Sequence, residues 1–362
     1  MVKSSEILWA IEPHTEIKHK ILESYLKAWF PILKKYNPRV VYLDGFSGPG
    51  RYSGGEPGSP VIALNVAKSF STNLTGEIVF LFVEREQERI DNLNKEIEQL
   101  GLPGNFKVVA VCGEFQDVCE ALLANIEARN QNLAPTFAFI DPFGYSGLPF
   151  KLISKFLTFP KGEVFITFMV ESLNRFLTLD NPANSKHIMD LFGTEEATKV
   201  GPNSPNRTDK LRLIYQNQLA KVANFVRYFE MRDRDDRIIY YLFFATNHPL
   251  GHVRMKEAMW KVDELGDFRF SDATDPTQTT LFGADHDGAI LNLIKIKFDG
   301  RKVSFGELGT FIEDKTPYLK KHLRESLRQA EDGGAIVVEQ TRNDGKKRRG
   351  KTFPDQVILT IR

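Results

Sequence analysis

Val40-Val41-Tyr42-Leu43-Asp44-Gly45-Phe46-Ser47-Gly48-Pro49-Gly50 runs an apolar strand straight into a turn with three glycines. A strand ending in an acid and then a glycine-rich loop opens a Rossmann-type cofactor unit, because glycine has no Cβ to hold the backbone away from a ligand. The glycines alone are a weak signal. The next apolar strand, Ile78 to Val83, ends in Glu84, an acid where a nucleotide-type ribose would offer its hydroxyls. The span from Gly50 to Glu84 exceeds the roughly 20 residues of a dinucleotide fingerprint, so NAD fits poorly. S-adenosylmethionine fits better, with its ribose on Glu84 and its methionine end over the glycine loop. The expected cofactor residues are Asp44, Gly45, Phe46, Gly48, Gly50 and Glu84, with Glu114 either bordering an adenine or capping a helix.

The flanking pattern alternates helix and strand. Ile17, Ile21, Leu22, Tyr25, Leu26 and Trp29 repeat at helical spacing and predict a helix over 15–36. Short strands rich in Val, Ile and Phe are expected at 40–44, 78–83, 106–112, 136–140 and 163–169, as in a parallel sheet covered on both faces. Helices fill the gaps, one at 59–70 with Ser59 and Pro60 at its start and one at 85–100. Two more strands, 225–231 and 238–245, flank the polar turn Asp233-Arg234-Asp235-Asp236 and read as a hairpin. Seven strands ending in a hairpin suit a class I methyltransferase sheet and not a dehydrogenase sheet.

The fourth strand exits through Asp141-Pro142-Phe143-Gly144-Tyr145. Ligands of open α/β sheets bind beyond the carboxyl ends of the strands at the switch point, so Asp141 and Asp44 should converge on one cleft. Asp-Pro followed by aromatics resembles the Asp-Pro-Pro-Tyr motif of amino-group methyltransferases. There the acid accepts from the exocyclic N–H, the proline fixes the backbone, and a ring stacks on the flipped base. Asp141, Pro142 and Phe143 are therefore the expected catalytic residues. Phe143 replaces the second proline and Gly144 the aromatic, so the ring would come from Phe143 or Tyr145; alternatively Asp141-Pro142 only closes a strand-to-helix turn. Arg51, beside the glycine loop, reads as an anion contact or a solvated charge, and Asn174-Arg175-Phe176 as a cleft wall or an anchor. His248 and His252 have an i, i+4 spacing interrupted by Pro249 and Gly251, a poor metal pair, and Cys112 reads as packing.

The whole chain has 362 residues, 42% of them apolar, enough for about two domains. Its net charge is only +1, but residues 285–362 carry 16 Lys and Arg against 12 Asp and Glu, leaving a negative surplus in the remainder. Two cysteines are too few for a disulfide scaffold or thiolate metal cage, which points to a reducing, cytoplasmic setting and no metal. No run approaches the ~20 apolar residues of a membrane span, and the N-terminus lacks an apolar signal core. After 266–284, rich in Gly, Asp, Thr and Pro and expected to be a linker, helices at 288–298, 305–313 and 317–330 precede strands at 335–340 and 356–361. That order is a winged helix-turn-helix. Lys320, Lys321, Arg324 and Arg328 punctuate the recognition-helix candidate, and the wing from Arg342 to Lys351 holds Lys346, Lys347, Arg348 and Arg349. These are the expected nucleic-acid contacts, with protein contact as the alternative use of such a domain.

Lys18-His19 with Tyr25, Trp29 and Pro31, the extended glycine motif through Arg51-Tyr52, Gly55-Glu56-Pro57-Gly58-Ser59-Pro60, Asp141-Pro142-Phe143-Gly144 and Thr246-Asn247-His248-Pro249 together resemble the three-Cys-motif partner proteins, TcmP, over residues 15 to 265. The resemblance implies a methyltransferase-like fold and, as partner, a radical S-adenosylmethionine-like protein that carries the three cysteines. The expected organisation is a Rossmann-type domain at 1–265 with an insert at about 171–224, then the linker and a winged helix at 285–362. The expected function is S-adenosylmethionine-dependent methylation of a nucleic-acid base. The alternative is a non-catalytic nucleic-acid-binding partner of that radical protein.

Overall fold

Ile21, Leu22, Tyr25, Leu26, Trp29 and Phe30 recur every three or four residues and bury one face of a long first helix, α1 (Pro13–Tyr36), in the computed structural model. The structure describes residues 7–71, 76–144, 148–177, 182–263, 265–273 and 285–361, without the side chains of 175–177 and 182–184. Tyr145, the side chains of Arg175 and Phe176, the extreme N-terminus and most of the expected linker lie outside these residues. The chain divides into two units, Met1–Val262 with Arg269–Asp275, and Asp263–Phe268 with Pro276–Arg362.

In the first unit the chain continues through β1 (Arg39–Asp44), α2 (Ser59–Ser69), β2 (Glu77–Glu84), α3 (Gln87–Gln99), β3 (Phe106–Cys112), α4 (Phe115–Ala128) and β4 (Thr136–Ile140). Then come α5 (Phe150–Thr158), β5 (Gly162–Phe168), α6 (Val170–Leu177), α7 (Pro182–Phe192), a 3-10 turn (Glu196–Lys199) and α8 (Arg207–Leu219). The hairpin β6 (Phe225–Arg232) and β7 (Ile238–Thr246), helix α9 (Pro249–Trp260) and β8 (Arg269–Ser271) complete it.

The strands form one sheet in the order β3-β2-β1-β4-β5-β7-β6-β8. Strands β1 to β5 run parallel, and β7 enters antiparallel between β5 and β6. This is the class I methyltransferase-like order. Every residue of β4 and β5 is buried, which explains the uninterrupted Phe, Ile and Val of those strands. Among the described residues the sheet has eight strands where seven were expected. The extra strand, β8, is three residues long, pairs parallel with β6, and lies in the stretch expected to be linker. It is too short for any periodic signal. The insert at 171–224 packs Tyr215 of α8 flat on Phe168 at 4.5 Å. Asn174 Nδ2 donates to Thr208 Oγ1 at 3.1 Å, so Asn174 ties α6 to α8.

Two smaller expectations fail. Pro249 and Gly251 do not break a helix: the proline occupies the first turn of α9, where no intrahelical N–H is needed, and His248 Nδ1 accepts from Leu250 N as its N-cap. Cys112 is exposed, not packed, because β3 is the sheet's edge strand.

The second unit contains α10 (His286–Phe298), β9 (Lys302–Ser304), α11 (Phe305–Lys315), α12 (Lys320–Asp332), β10 (Ile336–Val338) and β11 (Ile358–Ile361). Asp285 caps α10 by accepting from Gly288 N at 2.9 Å. The three strands pair as β10-β11-β9, β9 being a short strand the sequence did not announce. Ile290, Ile294, Leu308, Ile312, Leu323, Leu327 and Leu359 meet in this unit's own core. Three helices and a three-stranded sheet among its described residues make it a winged helix-turn-helix.

Candidate functional site

The strand order reverses between β1 and β4, so Asp44 and Asp141 leave the sheet side by side. Beyond β1 the chain turns at once: Gly45 N donates to Phe139 O and Ser47 N to Val83 O, both at 2.9 Å. Gly48 and Gly50 take φ of +61° and +91°, conformations that cost an L side chain. The loop then closes on the start of α2, where Gly58 N donates to Gly50 O at 2.8 Å. A Cβ on Gly58 would press on that same carbonyl.

Asp44 is fully buried. Burial pushes its carboxyl up to about 7, against hydrogen bonds from Ser59, Phe46 N and Tyr42 that favour the anion. Glu84 is also buried and is spent inside the fold, Oε2 accepting from Gly48 N at 3.1 Å and Oε1 from Glu86 N at 2.9 Å. It braces the glycine loop while each oxygen keeps a lone pair. Glu114 sits at the N-cap position of α4 without capping it and points into solvent, 4.0 Å from Arg85. Arg51 is taken by Glu96 at 2.5 Å and by Gly55 O at 3.0 Å.

A cavity of about 350 Å³ lies at this switch point. Of the sequence-predicted residues, Phe46, Gly48, Gly50, Asp141, Pro142 and Phe143 line it; Asp44, Gly45, Glu84 and Glu114 do not. The opposite wall was not foreseen. It comes from α1, which contributes His14, Lys18 and His19, with Tyr52 and Tyr240 beside them. Lys18 Nζ donates to Asp141 Oδ2 at 2.5 Å and lies 5.3 Å from the centre of the Tyr240 ring. His14 sits between Glu12 at 3.0 Å and Asp272 at 2.8 Å; burial opposes its protonation, but these two partners together raise its pKa. His19 is fully buried and pushed down to about 3, by burial first and by the Lys18 charge second, so it is neutral at pH 7.

Three residues that line this cavity each carry a buried polar atom with no hydrogen-bond partner among the described residues: Ser47 Oγ, Thr167 Oγ1 and His19 Nδ1. Orphaned polar groups inside a fold are costly, and a ligand in the cavity would satisfy them. Outside, the half-exposed Phe143 ring meets Trp9 edge-on at 5.5 Å, and the Arg89 guanidinium lies 5.0 Å from the centre of the Trp9 ring.

In the second unit the basic residues divide. Lys321, Arg328, Lys346, Lys347 and Arg349 are exposed, and no ion pair holds them among the described residues. Arg324 is half-buried with its guanidinium 5.0 Å from the Phe305 ring centre. Arg348, expected to contact nucleic acid, is instead buried: it grips both oxygens of Glu331 at 2.6 and 2.8 Å and covers Phe353. It staples the wing to α12 and has no surface to offer a phosphate. Lys320 and Arg342 are also held internally, Lys320 near Glu313 and Asp355, Arg342 by Asp344 and Gln356.

Residues 269–342 match a family described as the GMT-like wHTH domain. The C-terminal domain is a winged helix. No curated protein matches the chain. Among solved structures, it is similar to Trm1 from Pyrococcus horikoshii in complex with S-adenosyl-L-methionine, at 13% identity and a TM-score of 0.36, covering 69% of this chain and 59% of that one. It is also similar to an O-methyltransferase from Bacillus cereus in complex with SAH, at 16% identity, TM-score 0.34, covering 62% and 80%. The chain therefore spans about three fifths of the Trm1 chain. No described helix is long and apolar enough to cross a membrane.

Proposed function

We propose that the first unit binds S-adenosylmethionine and methylates a nucleic-acid base that the winged helix engages. The observation that carries this reading is the switch-point cavity, with its glycine cradle and three unpartnered buried polar atoms. Ser47, Gly48 and Gly50 would hold the methionine end, and Glu84, outside the cavity lining, would act through the glycine loop whose Gly48 N–H it accepts. The bound cofactor supplies an electrophilic methyl group on a sulfonium. Asp141 accepts an N–H of the incoming amino group, Pro142 fixes its backbone, and the exposed ring of Phe143 offers the base a stacking face. Lys18 positions the Asp141 carboxylate from the side.

Transfer of label from S-adenosylmethionine to mixed-sequence oligonucleotides tests this. Asp141→Ala should abolish transfer while leaving cofactor affinity within a few-fold; loss of both together places Asp141 in the cofactor pocket, and unchanged activity removes its role.

The same ion pair favours a second reading, in which Asp141 is spent on Lys18 and the protein only presents nucleic acid to a radical S-adenosylmethionine-like partner. The motif resemblance supports that partner, and the reducing-compartment reading of the two cysteines supports a cytoplasmic location. Cofactor binding without any transfer on DNA or RNA favours it over the enzyme.

A further inference from the structure

At the other end of the sheet a second cavity, of about 280 Å³, opens between α1 and α9. Tyr25, Trp29, Ile32, Leu33 and Leu250 form its largely apolar side, and Asn37, His248, Lys161 and Arg254 also line it. Its floor is Glu163, near the start of β5 and 5% exposed. Tyr25 Oη donates to Glu163 Oε2 at 2.7 Å and Thr246 Oγ1 to Oε1 at 2.8 Å, which leaves one lone pair on each oxygen. Gly251 completes the floor, since a Cβ there would collide with Oε1.

Burial raises the Glu163 carboxyl, and no cation pairs with it among the described residues; the nearby cations Lys161 and Arg254 are engaged by Asn37 and Glu257. Trp29 is 2% exposed, and its indole N–H faces the same carboxylate without hydrogen-bond geometry. A buried donor without a partner and a buried acceptor with a lone pair to spare on each oxygen thus meet on the ring-lined side of the cavity. A ligand ammonium would add only donors and leave Trp29 orphaned, and the cations Lys161 and Arg254 in the same lining would repel it. A hydroxyl accepts from Trp29 and donates to Glu163, answering both.

We propose that this cavity is a second small-molecule site, separate from the switch point, that takes a compact aromatic compound carrying one hydroxyl. It stands independently of the methyltransferase reading.

The test titrates the full chain with p-cresol by ligand-observed NMR, with toluene and 4-methylanisole as controls. Toluene lacks the hydroxyl and 4-methylanisole lacks only its donor. The expected result is saturable p-cresol binding at least roughly fivefold tighter than either control, the range of one neutral hydrogen bond. Saturating S-adenosylhomocysteine should not displace it. Glu163→Gln should weaken it several-fold, and Leu33→Trp, which fills the cavity from a half-exposed wall, should abolish it with the fold retained. Absence of saturable binding, equal binding of toluene, displacement by S-adenosylhomocysteine, or full binding by a folded Leu33→Trp variant would each overturn the site.

Discussion

Asp44 ionises with difficulty, and that has a measurable sign. Its folded carboxyl titrates near 7 against an ordinary value of 3.8, so the folded state holds a proton through a pH range where the unfolded chain has lost it. Its stabilising contribution is complete below about pH 4 and is lost as pH rises through about 7. Asp44→Asn should therefore compare more favourably with the wild type at pH 8 than at pH 4, read as denaturation midpoints at both pH values. A difference that does not change with pH removes the assignment. Asp44 and Asp141 were legible because each follows a strand and the strand order can be inferred. Lys18 and His19 were visible only as letters in a motif. Yet His14, Lys18, Ile21 and Tyr25 share one helical face, so two polar residues on the stripe that buries α1 were a signal that this face serves a site.

α12 and the wing behave as one element because Arg348 joins them. The sequence could not single it out: Lys346, Lys347, Arg348 and Arg349 are equivalent in composition, and only the positions of Glu331 and Phe353 turn one of them inward. Arg348→Ala leaves Glu331 without its partner and strips a cation from Phe353. It should destabilise the winged helix by roughly 3 kcal/mol, seen as a lower denaturation midpoint. Replacing Lys346, Lys347 and Arg349 together should leave stability almost unchanged and reduce the salt dependence of duplex binding by up to about 0.9 log units per lost phosphate contact. If the triple variant keeps the wild-type salt slope, the wing touches protein and not nucleic acid. The short strands β8 and β9 escaped sequence reading for a related reason: three residues carry no period, and pairing with β6 and β11 defines them.

Across the whole chain, the division of charge and the division of fold coincide. The basic surplus of residues 285–362 belongs to the winged helix, and the rest of the chain carries the glycine cradle, the switch-point acids and the cavity between them. The strand pattern of the sheet was readable because doubly covered parallel strands must be apolar throughout. The far wall of the cavity was not, since it depends on how α1 crosses the sheet. The proposed function rests on that cavity binding an adenosyl sulfonium cofactor. The most direct measurement is calorimetric titration of the chain with S-adenosylhomocysteine, beside the Glu84→Ala variant. The predicted result is one saturable, micromolar-scale site that Glu84→Ala weakens about tenfold or more, since the glycine loop loses the carboxylate that holds Gly48 N and hydrogen bonds to a charged acceptor are worth ~1.5–3 kcal/mol. A wild-type chain that gives no binding heat and no change in melting temperature with either S-adenosylhomocysteine or S-adenosylmethionine would contradict it.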